Sequence, residues 1–219
     1  MRDVPRLHAI TDDARLADAR FVDDAAEVLE IGGSEVALHL RGRETTAARL
    51  FEIASALLPV ARASGATLLV NDRVDVALVA RADGVQLRED SLDAAAARAL
   101  LGAEALIGVS RHAQTVAQVA DATDFVLFGS VFETASHPGR TPTGIDALGE
   151  AASVSRRQAG GRAVPLVAIG GITPERVAEV MQAGAHGIAA LSTIWQGGPN
   201  TVQAFLDALV QARARGPDA

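Results

Sequence analysis

The chain has 219 residues, 49% of them hydrophobic, with a formal charge of -7 and a sequence pI near 5.2. That length can bury a sizeable core as one α/β barrel or as two small domains, and a single domain over residues 1–219 is the expectation. The acidic balance, the 3% aromatic content and the absence of any basic block leave no footprint for nucleic acid or for an anionic membrane surface, so small-molecule chemistry is expected.

The opening residues, MRDVPRLHAITDD, lack the basic and then apolar build of a signal peptide. No apolar run approaches the ~18 residues of a membrane span. Both point to a soluble cytoplasmic protein. The chain holds no Cys, Tyr or Lys, and all 20 basic residues are Arg. Arg cannot lose its proton to form a Schiff base, so lysine-dependent aldolase and pyridoxal chemistry are excluded. Cysteine nucleophiles, disulfides and thiolate metal sites fall with them.

Apolar strand-like runs alternate with Ala-rich helical patterns along the whole chain, as in repeated βα units around a parallel sheet. The predicted strands are 7–11, 35–40, 67–70, 84–87, 106–109, 124–128, 165–169 and 187–191. Eight such strands predict a closed (β/α)8 TIM barrel. Segments such as Ala47 to Ala63 and Leu92 to Leu101 carry apolar residues at helical spacing with charges between them, as an outer ring requires. Residues 129–144, GSVFETASHPGRTPTG, form the one long connection, of the kind used as an active-site lid. Gln196 to Asn200 reads as a turn before a last helix, and Gly216 to Ala219 as a frayed tail.

The seventh and eighth predicted strands carry the most informative stretch, PLVAIGGITPERVAEVMQAGAHGIAALSTIW. One strand ends in Gly170-Gly171 before a helix opened by Thr173-Pro174, and the next ends at Leu191-Ser192. Two glycines let backbone approach an anion closely, and N–H groups at a helix start point at it. In a (β/α)8 barrel the customary phosphate site lies after strands 7 and 8. The plainer alternative is that Gly-Gly only makes a tight turn.

The other strand ends also carry polar groups: Thr11 and Asp12, His39 and Arg41, Asn71 and Asp72, Gln86 and Arg88, Ser110 and His112, Gly129 and Ser130. In this fold those ends converge on one pocket. Period-two geometry puts His39 and Arg41 on a common face of their strand. Taken singly, Thr11, Asp12, Gln86 and Arg88 read equally well as capping or surface residues.

The segments LHAITDD, HLRGR, LLVNDRVDVAL, ADGVQL, IGVSRH, DFVLFGSVFET, VAIGGITPERV and GIAALS, in that order, resemble the thiamine phosphate synthase and TenI superfamily. The resemblance covers nearly the whole chain. It implies a (β/α)8 barrel that binds a thiazole phosphate.

Within that superfamily, the synthase branch implies a Gln-x-Arg-x-Lys run after strand 2, magnesium-binding Asp residues after strands 3 and 4, and a Thr-x-Thr-Lys run after strand 6. This chain has His39, Arg41 and Arg43 at the first. It keeps Asp72 but has Ser91 at the second Asp position, with Asp90 one place off, and His137 stands at the last Lys position. The TenI-type tautomerases are similar at these departures and place a histidine after strand 5, here His112.

The resemblance therefore implies a thiazole tautomerase, an isomerase that moves a ring proton with no cofactor and no metal. His112 would be its general acid/base, as suits an imidazole. Phosphate would lie on Gly170, Gly171, Leu191 and Ser192. His39, Arg41, Asn71, Ser110, Ser130 and Thr134 would bind the rest of the substrate, with Arg41 paired to its carboxylate. Two alternatives stand beside it: a thiamine phosphate synthase, with Mg2+ on Asp72, and a non-catalytic binder of thiazole or thiamine phosphates. A homodimer is compatible with the fold.

Overall fold

The computed structural model describes residues 3–112, 115, 116, 119, 121–134, 139, 141–156 and 163–214. Eight parallel strands close on themselves: β1 (Leu7–Ile10), β2 (Val36–Leu40), β3 (Thr67–Asn71), β4 (Gly84–Leu87), β5 (Leu106–Arg111), β6 (Phe125–Gly129), β7 (Leu166–Ile169) and β8 (Gly187–Ala190). Closure is made by β8 pairing with β1, Ile188 opposite Leu7 and Ala190 opposite Ala9. The helices are α1 (Asp13–Ala17), α2 (Phe21–Gly32), α3 (Ala47–Ser64), α4 (Val74–Ala80), α5 (Ala94–Leu101), α6 (Gly144–Arg156), α7 (Val177–Gln182), α8 (Ser192–Gln196) and α9 (Pro199–Ala214). This is the predicted (β/α)8 barrel, with each strand within two residues of its expected bounds.

The strands are buried on both faces, which is why they read as short apolar runs rather than as strict alternation. One set of side chains, including Leu38, Leu68, Val70, Val126 and Ile188, packs outward under the helices. The alternate set, Ile10, Ala37, Leu69, Leu106, Phe125, Leu127, Val167 and Ala189, fills the barrel interior. Gly108 makes room in that interior: a Cβ there would lie 2.2 Å from both the Phe125 ring and Gln86 Oε1. His8 and His39 share this inner layer with Phe125, at ring-centroid distances from it of 5.0 and 6.3 Å.

Side-chain caps set three helix starts. Asp12 accepts from the Arg15 amide at 2.9 Å, Thr46 from the Arg49 amide at 3.2 Å, and Asp93 from the Ala95 amide at 2.7 Å. The Asp93 cap is why α5 begins at Ala94 and not at Leu92. The predicted turn 196–200 is corrected: Ser192–Gln196 is a helix, and only Gly197 and Gly198 separate it from α9. The five residues STIWQ are too few to show a helical period. Of the expected lid, residues 135–138 and 140 lie outside the described residues, as does the tail 216–219.

Candidate active site

One pocket opens at the C-terminal end of the barrel and draws lining residues from all eight strand ends. At one side lies the glycine turn after β7. Gly170 and Gly171 have φ of +106° and +62°, the region L side chains avoid. A Cβ on Gly170 would lie 2.5 Å from Ser130 Cβ, and one on Gly171 would lie 2.3 Å from the Glu133 carbonyl oxygen. The turn is held from behind. Phe132 donates its amide to Gly170 O at 3.1 Å, and the Arg176 guanidinium donates to Gly171 O at 2.7 Å while lying 4.4 Å from the Phe132 ring centroid.

Leu191, Ser192 and Thr193 complete this side. Ser192 and Thr193 are the first residues of α8, where N–H groups have no intrahelical acceptor. No loop or turn acceptor pairs with the amides of Gly171, Ser192 or Thr193 among the described residues. Donors without acceptors around two glycines suit a phosphate.

The opposite side of the pocket is cationic. Arg41 and Arg43 reach it from the end of β2, Arg88 from the end of β4 and Arg111 from the end of β5. Arg41, Arg43 and Arg111 form no salt bridge among the described residues. Burial holds the Arg41 guanidinium below its ordinary pKa, and the neighbouring Arg43 charge pushes the same way against Asp12, Asp13 and Asp72. It stays protonated at neutral pH all the same. The loop carrying Arg41 and Arg43 is tied down by Asp13, whose carboxylate accepts from the amides of Arg43, Glu44 and Thr45 and from Thr45 Oγ1 at 2.7–3.0 Å. Burial opposes ionisation of Asp13, yet these four donors hold its pKa at about 2.

Between the two sides lie Asn71, Ser110, His112, Ser130 and Thr134, with Ile10, Leu127 and Ile169 as an apolar floor. Ser110 Oγ receives the Gln86 amide at 3.2 Å. The His112 ring donates from Nδ1 to Gly129 O at 2.9 Å, and its Nε2 lies 3.9 Å from Glu89 Oε2. Ten of the predicted site residues therefore line one pocket: Arg41, Asn71, Ser110, His112, Ser130, Thr134, Gly170, Gly171, Leu191 and Ser192. The exception is His39, which is fully buried one layer below, bonded to His8 and Asn71. Its expected place against substrate is corrected. Arg88, expected equally as a surface residue, and Arg111, which alternation between Ser110 and His112 would turn outward, belong to the lining. His137 lies outside the described residues.

The residues do not fit a magnesium site. Mg2+ prefers six oxygen ligands and a free carboxylate or two. Both Asp72 oxygens are engaged by Arg88, one by its amide at 2.9 Å and one by its Nε at 3.1 Å. Asp90 is largely exposed and also faces Arg88, at 3.5 Å, and Ser91 supplies no charge. No group of three or more His, Cys, Asp or Glu among the described residues is placed to hold a metal ion.

A sequence model of the family described as Thiamine monophosphate synthase matches residues 7–194. The thiamine-phosphate synthase of Chloroflexus aurantiacus is 37% identical over 192 residues, 86% of this chain and 84% of that protein. The thiamine-phosphate synthase of Moorella thermoacetica is 36% identical over 167 residues, 75% and 76% of the two. Among solved structures, thiamine phosphate pyrophosphorylase from Pyrococcus furiosus superposes with a TM-score of 0.76 at 27% identity, covering 94% of this chain and 96% of that one. These relatives carry the synthase name, and they overturn the expectation of a tautomerase, and of the isomerase class with it, in favour of the synthase alternative. No helix among the described residues is long and apolar enough to cross a membrane. With its barrel, its matched residues and its relatives in agreement, the chain belongs to the thiamine monophosphate synthase family.

Proposed function

We propose that this protein is a transferase that joins hydroxymethylpyrimidine diphosphate to thiazole phosphate, giving thiamine phosphate and inorganic diphosphate. The observation that carries this reading is the pair of anion-binding sides in one pocket: backbone donors at Gly171, Ser192 and Thr193 facing four arginines. A substrate with a single phosphate and one carboxylate would leave most of the arginine side without a counter-charge. Two substrates, a monophosphate and a diphosphate, occupy both.

The chemistry follows from that division. The thiazole ring nitrogen gives its lone pair to the methylene carbon of the pyrimidine, a C–N bond forms, the C–O bond to the diphosphate breaks, and the electron pair leaves with the diphosphate. Charge grows on the leaving group. Arg41, Arg43, Arg88 and Arg111 supply fixed positive charge there, without reorganisation at the moment of reaction. Ile10, Leu127 and Ile169 exclude water from the rings. No proton is transferred in this step, so His112, with Nδ1 committed to Gly129 O, serves as wall and hydrogen-bonding group.

Several features are consistent with the missing lysines. The guanidinium of Arg43 comes from the same strand end as the family's Lys, and Arg88 and Arg111 add charge from two further strands. The test is incubation of the purified protein with both substrates and quantitation of thiamine phosphate by chromatography. Product that requires both substrates supports the reading. Saturable binding of thiazole phosphate with no product from either pair member would leave a binding protein instead.

A further inference from the structure

Inside the barrel a polar chain runs from the N-terminal end up to the pocket. His8 Nε2 lies 2.9 Å from Pro5 O, His8 Nδ1 lies 2.8 Å from His39 Nε2, and His39 Nδ1 lies 3.3 Å from Asn71 Oδ1. Both rings are fully buried, and Asn71 lines the pocket. Such a chain has little freedom in where its protons sit.

Pro5 O can only accept, so His8 Nε2 carries its proton. Burial, and next the neighbouring His39, hold the His8 pKa well down, and burial brings His39 down to about 4, so each ring is neutral and has one N–H. The bare His8 Nδ1 must then accept from His39 Nε2–H. That leaves His39 Nδ1 bare as well. With Asn71 Oδ1 at 3.3 Å from it two lone pairs meet, whereas turning the amide by 180° brings Nδ2 to that place and a hydrogen bond forms. Amide orientation is fixed by such networks and not by electron-count differences between O and N.

We infer that the His8–His39 pair is a positioning relay that fixes the Asn71 amide with Nδ2 inward and Oδ1 toward the pocket, so that this wall selects a substrate hydrogen-bond donor. The neighbouring Arg41, Arg43 and Arg88 side chains can only donate, which makes the Asn71 oxygen the acceptor at that end. Resting on the synthase reading, the donor is the exocyclic amine of the aminopyrimidine. An analogue without that amine would leave the acceptor unpaired.

Two measurements test this. Nitrogen-15 NMR of the substrate-free protein, with His8→Phe and His39→Phe variants to assign the rings, reads the tautomers without any activity. The expected result is Nε2–H with bare Nδ1 on both rings at neutral pH; a protonated Nδ1 on His39 would overturn the relay, even if the variants fail to fold and assignment rests on couplings alone. Calorimetry then compares aminopyrimidine diphosphate with its desamino analogue. The amine is expected to contribute about 10-fold or more in affinity to the wild type. In Asn71→Ala the two ligands should bind within about threefold of each other, about 0.65 kcal/mol by the RT ln relation. Equal affinities in the wild type would overturn the amine assignment. Neither result depends on turnover, so loss of the synthase reading and loss of the relay are told apart.

Discussion

Arg41 links the electrostatics of the pocket to its function, and Arg41→Met separates the two. Its guanidinium is half-buried, its pKa is lowered by burial and by Arg43, and it has no carboxylate partner among the described residues. In the folded protein alone burial and Arg43 make that charge a cost, offset in part by Asp12, Asp13 and Asp72 and further when an anion arrives. Replacing it with a side chain of similar length keeps the packing of the stem and removes the charge. Charge-assisted hydrogen bonds are worth roughly 1.5–3 kcal/mol, so KM for the diphosphate substrate should rise about 10- to 150-fold. KM for thiazole phosphate should move less than about threefold, because that phosphate is held across the pocket. Thermal stability should be unchanged or raised by about 2–4 °C, the span of roughly 1 kcal/mol in a chain of this size. Steady-state kinetics with each substrate varied in turn, together with a melting curve, reads all three. A fall in Tm with equal losses for both substrates would refute the reasoning and make Arg41 a structural residue.

Other perturbations address the remaining parts of the site. Gly171→Ala places a Cβ at φ +62° and 2.3 Å from Glu133 O, and at ~1–2 kcal/mol for the left-handed backbone alone it should raise KM for thiazole phosphate about tenfold while sparing the diphosphate; equal KM values before and after would remove Gly171 from the cradle. Asp13→Asn should lower Tm at neutral pH by about 2–6 °C, from roughly 1–2 kcal/mol once solvent screening is allowed for. Its folded pKa of about 2 lies below the ordinary 3.8, so its stabilisation is present above about pH 4 and lost as pH falls toward 2. The two melting curves should therefore converge over that window, and a gap that persists at pH 2 would assign the effect to something other than ionisation. His112→Gln should slow product formation less than about tenfold, since general acid/base groups typically contribute ~10²- to 10⁴-fold and no proton moves in the displacement. With Asp72 engaged by Arg88, turnover in excess chelator should stay within about fivefold of that in millimolar magnesium; complete loss would mean that Arg88 releases Asp72 to a metal.

Much of this architecture was legible because buried parallel strands are short apolar runs that stop at polar residues or glycines, and nearly every run here stops that way. Depth was not legible. Period-two alternation assigns His39 and Arg41 to one face, but whether that face meets solvent or core depends on the layer, and His39 is one layer too deep. Alternation also fails where a strand ends: Arg111 is the last residue of β5, and its guanidinium folds back to donate to Ser110 O at 2.9 Å and lines the pocket that Ser110 already faces. The glycine cradle was visible because φ near +62° and +106° needs glycine, a local demand that sequence records directly. The choice between two activities was turned by the relatives, and the charge that agrees with them is gathered from distant positions. Absent lysines at single motif positions read as loss of diphosphate binding, whereas Arg43, Arg88 and Arg111 come from three different strand ends and meet only in the closed barrel.

On this reading one pocket binds a monophosphate at its glycine side and a diphosphate at its arginine side and joins their carriers. A single reaction tests it: purified protein, hydroxymethylpyrimidine diphosphate and thiazole phosphate, with thiamine phosphate and inorganic diphosphate measured in the same samples over time. The two products should appear in equal amounts, and only when both substrates are present. Release of diphosphate without thiamine phosphate, or no product while both substrates bind, would contradict it.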